Sequence, residues 1–158
     1  MAKDKLKVLT NKAPTKQLVN LQESDVTIEN LQKVFDHFLG GANIEDDNLY
    51  LEVSNVDAPI LVSINPVSKY ISFSCIFDAS KTIPFQTKVS IINEVNNSIP
   101  FIKFVIPAED QVNDCVYAAC DLSFINGLTV VELERVVSSF IAGLTVALTD
   151  SELYKLNG

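Results

Sequence analysis

The side chains able to do chemistry are few and scattered: one histidine, His37, three cysteines, Cys75, Cys115 and Cys120, and two acidic clusters, Glu45-Asp46-Asp47 and Glu109-Asp110 with Asp114. A histidine catalyses or binds zinc only beside a nucleophile or further ligands, and no GxSxG, HExxH or paired CxxC motif supplies them. On a helical wheel at 100° per residue His37 falls about 130° from its nearest apolar stripe, so it should face solvent. The cysteines are odd in number and have no metal-ligand spacing. A redox pair of Cys115 and Cys120 is the alternative to core thiols, but five positions along a strand set the two on opposite faces and too far apart. Neither acidic cluster has the D-x-D-x-D-G spacing of a calcium loop; Asp and Asn suit turns because they bond their own backbone and tolerate left-handed conformations. With five glycines, none in GxGxxG or GxxxxGK spacing, no loop is built to cradle phosphates. The expectation is a protein without metal, cofactor or catalytic residues; a small enzyme is the remote alternative.

The elements that position these residues follow from periodicity. Thr27 reads as the N-cap of a first helix whose inner stripe is Ile28, Leu31, Val34, Phe35 and Phe38, ended by Gly40-Gly41. After the polar turn NIEDDN, Leu49, Leu51 and Val53 alternate with Tyr50 and Glu52 in a half-buried strand. Further strands span residues 59–65 and 69–77, joined by a tight Pro66-Val67-Ser68 connection. A central helix opens near Pro84, with Phe85, Val89, Ile92 and Val95 inward, and breaks at Pro100. Strands at 101–106 and 115–122 come next, linked by the acidic turn PAEDQVND. Thr129 and Glu132 form a capping box that starts a last helix. Gly143 in its middle marks either a close packing contact or an earlier helix end. The element order is α-β-β-β-α-β-β-α, a single α+β domain whose antiparallel sheet carries the helices on one face.

Two further features qualify that frame. Asn96 falls between Val89 and Ile92 on the wheel, on the apolar side, and a buried amide must be paired. It is expected to latch the central helix to the strand that follows. On the sheet, placing Ile71, Phe73, Val116, Ala118, Leu49 and Leu51 toward the helices puts Tyr50, Leu61, Tyr70, Ile76 and Tyr117 on the opposite side. Three of four tyrosines then share one surface, a composition suited to a protein interface.

The 158-residue chain suffices for one disulfide-free core, and no apolar run approaches the ~18 residues of a membrane span. No signal-peptide pattern follows the early lysines, so the expected location is the cytoplasm, away from membranes. Residues 1–20 hold five lysines and one aspartate, a net +4 within a total of −8, which leaves −12 for the body. Residues 1–22 are expected to be a flexible basic leader and residues 23–158 the folded domain. Nucleic acid needs a Lys/Arg footprint that the body lacks, so DNA or RNA is not an expected partner; only the leader offers that route.

The blocks LQKVFDHFLG, NLYLEV, ISFSCIFDAS, NEVNNSIPFIKFVI and GLTVVELERVVSSFIAG, spread over residues 27–150, resemble the YbjN family. Its members are described as candidate regulators of bacterial sensory transduction and share the type III secretion chaperone-like fold. The resemblance implies a non-enzymatic regulator or adaptor that binds another protein, as a homodimer, in bacterial signalling or stress response. A secretion chaperone-like holder of a cargo segment is the second reading it implies.

Overall fold

The computed structural model describes residues 20–54, 56, 58–106, 115–149, 153 and 156. In chain order they form β1 (Asn20–Leu21), α1 (Ile28–Phe38), β2 (Ala42–Glu45), β3 (Asn48–Leu51), β4 (Ile60–Asn65), β5 (Tyr70–Asp78), α2 (Phe85–Ser98), β6 (Lys103–Val105), β7 (Cys115–Ser123), β8 (Leu128–Thr129) and α3 (Val130–Thr149). Six strands make one antiparallel sheet in the order β2-β3-β4-β5-β7-β6, and β1 pairs with β8 separately. The α+β architecture and the order of the long elements are those read from the sequence. No described helix is long and apolar enough to cross a membrane.

The helix starts follow their chemistry. Thr27 Oγ1 accepts from the Asn30 N–H at 3.3 Å, and Gly40, at φ 75°, ends α1 in the left-handed conformation that glycine adopts without strain. At α3, Thr129 Oγ1 accepts from the Glu132 N–H at 3.1 Å while Glu132 Oε2 accepts from the Thr129 N–H at 2.9 Å. The expected capping box is therefore present in both directions. Gly143 is a packing contact: a Cβ there would come within 2.5 Å of Ile102 Cδ1, so α3 lies directly on the segment joining α2 to β6.

The core sits between the helices and one face of the sheet. Ile71, Phe73 and Cys75 of β5, Val116, Ala118 and Cys120 of β7, Leu49 and Leu51 of β3, and Ile60 and Val62 of β4 are buried there. Phe73 meets Phe35 of α1 edge-on at 6.2 Å and Phe140 of α3 at 6.4 Å, so one ring ties both helices to the middle of the sheet. The nine paired positions from Tyr70↔Ser123 to Asp78↔Cys115 make β5 and β7 its spine.

Several expectations are corrected. NIEDDN is not a turn throughout: Ala42–Glu45 is an edge strand, and only Asp46 and Asp47, at φ 47° and 62°, form the turn. Two consecutive positive φ angles are the signature of a type I′ hairpin turn, whose twist matches that of the strands it joins. Strand β2 alternates Ala42 and Ile44, paired with Leu51 and Leu49, with Asn43 and Glu45, but a four-residue run with one buried member is short enough to read as part of the turn. Asn20 and Leu21, assigned to the leader, belong to the folded body; Leu21 is 1% exposed and its strand pairs with β8. Residues 1–19, and the second acidic cluster at 109–114, lie outside the described residues. Phe85, expected inside, is exposed; α2 instead buries Lys88, Ile91, Ile92 and Val95, a face turned by roughly 50° at 100° per residue.

That rotation brings Asn96 to the rim of the buried face, against the edge strand. Its Nδ2 donates to the Phe104 carbonyl at 2.9 Å and its Oδ1 accepts from the Phe104 N–H at 2.8 Å. The expected latch is thus a two-bond clasp on one residue. In Asn96→Ala both main-chain groups of Phe104 lose their partners, and the urea midpoint should report a loss of about 1–3 kcal/mol. Asn96→Asp keeps the acceptor but sets a carboxylate oxygen against the Phe104 carbonyl, so at neutral pH it should lose at least as much. Wild-type stability in both variants would rule the clasp out as a structural element.

Candidate functional site

Alternation along paired strands fixes what the other face of the sheet presents. Tyr50 of β3 lies opposite Leu61 of β4, Leu61 opposite Ser74 of β5, Ser74 opposite Ala119 of β7, and Ala119 opposite Lys103 of β6. The next row on the same side is Ile76, Tyr117 and Val105. Directly opposed residues in antiparallel strands have Cβ atoms about 5 Å apart, so each row is continuous. Ile76 is 49% and Val105 51% exposed, with Tyr117 half-buried between them. Tyr50 and Leu61 are half-buried in the adjoining row.

Four of the five residues singled out from the sequence therefore form two touching pairs. Tyr70 stands apart. It shares the face but sits six residues along β5 from Ile76, roughly 20 Å at 3.3 Å per residue. Its hydroxyl accepts from Asn65 Nδ2 at 3.1 Å, and Asn65 Oδ1 also accepts from the N–H groups of Val67 at 3.1 Å and Ser68 at 2.8 Å. Tyr70 is a strut of the β4–β5 hairpin. Val105 and Lys103 were not singled out, although alternation around the buried Phe104 would have placed them on this face.

The charges on this face are mostly negative. Among the described residues, Glu45, Glu52, Asp78 and Asp121 lie on it by alternation, all exposed, against the single ammonium of Lys103. Glu52 Oε1 accepts from Asn43 Nδ2 at 3.2 Å, and Asp121 Oδ1 accepts from Ser72 Oγ at 2.6 Å. An apolar strip bordered by carboxylates results.

The sheet edges offer less. On β6 the outward main-chain groups of Phe104 are held by Asn96, and the Ile102 N–H donates to the Ile99 carbonyl at 3.4 Å. On β2 the Ala42 N–H donates to Asp36 Oδ1 at 3.1 Å and the Ala42 carbonyl accepts from Gln32 Nε2 at 3.0 Å. Helix side chains thus occupy edge positions on both sides of the sheet, which blunts pairing with another chain.

Reactive groups do not converge. His37 is exposed, as expected. All three thiols are buried, and none forms a disulfide among the described residues. Burial pushes Cys75 up to about 11; burial, with the neighbouring Asp121 charge, pushes Cys120 up to about 12. Neither is a thiolate near neutral pH. No group of three His, Cys, Asp or Glu side chains gathers among the described residues. An open recess lined by Leu39, Gly40, Gly41, Val53, Val56 and Pro59 includes one described ionisable side chain, Glu52, already bonded to Asn43.

The raised thiol values carry a pH signature. The folded chain holds both protons above the unfolded value of about 8.5, so their contribution is intact below that pH and fades as pH climbs toward 11–12. Urea midpoints between pH 8 and pH 11 should fall more steeply in wild type than in Cys75→Ala/Cys120→Ala. Parallel slopes would show that the thiols are not the cause.

No family model matches the chain, and no curated protein matches it. Solved structures do. YbjN from E. coli, described with its crystal structure as a candidate transcription regulator, superposes with a TM-score of 0.68 at 15% identity, over 82% of this chain and 93% of that one. A chain of the HopA1-SchA chaperone-effector complex gives 0.52 at 13%, over 72% and 87%. A protein from Methanothermobacter thermautotrophicus gives 0.54 at 14%, over 73% and 90%. At these identities the likeness is one of fold.

Proposed function

We propose that this chain is a non-enzymatic, protein-binding regulator or adaptor of the YbjN type, acting in the cytoplasm in bacterial signalling or stress response. Its binding surface is the open face of the sheet, centred on Ile76, Tyr117 and Val105 and continued by Tyr50 and Leu61. The observation that carries this reading is the apolar strip left half-exposed among carboxylates while the opposite face carries the buried core. Tyrosines and aliphatics on a rigid sheet bury apolar area at low entropic cost, and the carboxylates favour a partner that brings ammonium or guanidinium groups. The same carboxylates disfavour a phosphate backbone. A holder of an extended cargo segment is the second reading, supported by the fold shared with a chain of a chaperone-effector complex. Homodimerisation belongs to the proposal and is checked by light scattering, which should give twice the 17.4 kDa chain mass.

The face itself is tested by Ile76→Ser/Tyr117→Ser. Both side chains retain exposure, so stability should change by no more than about 1 kcal/mol. Affinity capture with quantitative mass spectrometry should find proteins retained by wild type and by the helix-side control Ser138→Lys, and depleted at least tenfold by the double variant. Equal retention by all three baits would remove the open face from the function.

A further inference from the structure

We propose that the open face is occupied in cis by the basic leader of the same chain, residues 1–19. The proposal shares its surface with the function above but needs no partner to be true.

Charge is the first argument. The face presents Glu45, Glu52, Asp78 and Asp121 against Lys103 alone among the described residues, and the leader carries Lys3, Lys5, Lys7, Lys12 and Lys16 against Asp4. Opposite charges joined on one chain attract within a Debye length of about 10 Å at 0.1 M salt. The second argument is apolar. Leu6, Val8 and Leu9 interleave with Lys5 and Lys7. Aliphatic groups so spaced match the half-exposed Ile76–Tyr117–Val105 row, while lysine side chains are long enough to reach the flanking carboxylates.

Geometry supplies the third. The leader joins the body at Asn20, whose strand pairs with β8, and β8 follows the end of β7 at Ser123 after four residues. Glu23 Oε1 pairs with Lys69 Nζ at 3.1 Å, and Lys69 precedes Tyr70, the partner of Ser123. The leader therefore starts at the end of the sheet that carries Tyr70. From there to the Ile76 row is about 20 Å along the strands, and nineteen residues span up to about 60 Å, so Lys12 and Lys16 can reach Asp121 and Leu6 to Leu9 can reach the apolar row. With β6 clasped by Asn96, the route runs across the face rather than along that edge.

Zero-length carbodiimide coupling on the full chain tests this, because it joins a lysine amine to a carboxylate only when the two touch. Mixed isotope-labelled and unlabelled chains separate links within a chain from links between chains. The expected result is that intrachain links from the leader lysines fall on Glu45, Glu52, Asp78 and Asp121 at least fivefold more often than on the helix-side Glu29, Glu94 and Glu134. They should drop severalfold in 0.5 M NaCl and in Ile76→Ser/Tyr117→Ser. Links spread evenly over exposed carboxylates, links insensitive to salt, or links made only between chains would each overturn the proposal. The amide NMR spectrum of full-length Lys5→Glu/Lys7→Glu/Lys12→Glu is a second reading: shifts should concentrate at Ile76, Tyr117 and Val105, and an unchanged face would overturn it equally. Failure to capture a partner bears on the function above and leaves these results untouched; loss of the crosslinks bears on the leader alone.

Discussion

The clasp of Asn96 on Phe104 is the interaction on which the rest of the structure depends. An antiparallel edge strand points the main-chain groups of every second residue away from its neighbour, and each such pair needs water, another strand or a side chain. An asparagine side chain can point an N–H donor and a C=O acceptor the same way, as the N–H and C=O of one strand residue do, so Asn96 stands where one residue of a seventh strand would pair. The two bonds fix α2 against β6 along its length and in rotation. Fixing α2 sets the path of Ile99–Ile102, which in turn forms the surface on which α3 rests at Gly143. A side-chain Cβ at that glycine would push α3 off the connection that the clasp has placed.

Much of this was legible because each feature stands against its local background. Asn96 is a polar residue at an apolar wheel position, Gly143 a glycine inside a long apolar helix, and Thr129 with Glu132 a capping pair at fixed spacing. What escaped had no such contrast. Strand β2 escaped because its alternation, Ala42 and Ile44 against Asn43 and Glu45, is only four residues long and runs straight into Asp46-Asp47, and because the groups that hold Ala42, on Gln32 and Asp36, lie in another element. The rotation of α2 escaped because Phe85 looked the better core residue. Its apolar ring is exposed, while the 2%-exposed Lys88 lies one turn along with Ile91, Ile92, Val95 and Ile99, a stripe whose apolar members outweigh the charge at its start.

The candidate site was legible in part for the same reason. Period-two alternation assigns faces correctly once one strand is anchored, and Tyr50, Leu61, Tyr70, Ile76 and Tyr117 do share a side. Alternation carries no information on distance along a strand. It cannot show that Tyr70 serves a hairpin turn while Ile76 and Tyr117 touch, nor that Val105 completes their row; those facts come from register, which the long β5–β7 pairing sets.

The two faces of the sheet obey different constraints, and this bears on what a shared fold can transmit. The inner face is filled by Phe35, Phe73 and Phe140 and their neighbours, so substitutions there must conserve volume. Edge positions are tied by side chains that must keep their donors and acceptors. The open face is held less tightly: Asp121 accepts from Ser72 Oγ and Tyr70 braces its hairpin, but exchanging Ile76 or Val105 for other residues that tolerate a strand leaves the core and the clasp untouched. Chains that superpose at 13–15% identity can therefore share everything that holds the sheet together and differ in everything it presents. The chemistry that distinguishes this chain is then the combination on that one face, an apolar strip with four carboxylates and one ammonium among the described residues, in a protein whose own first nineteen residues carry the opposite charge.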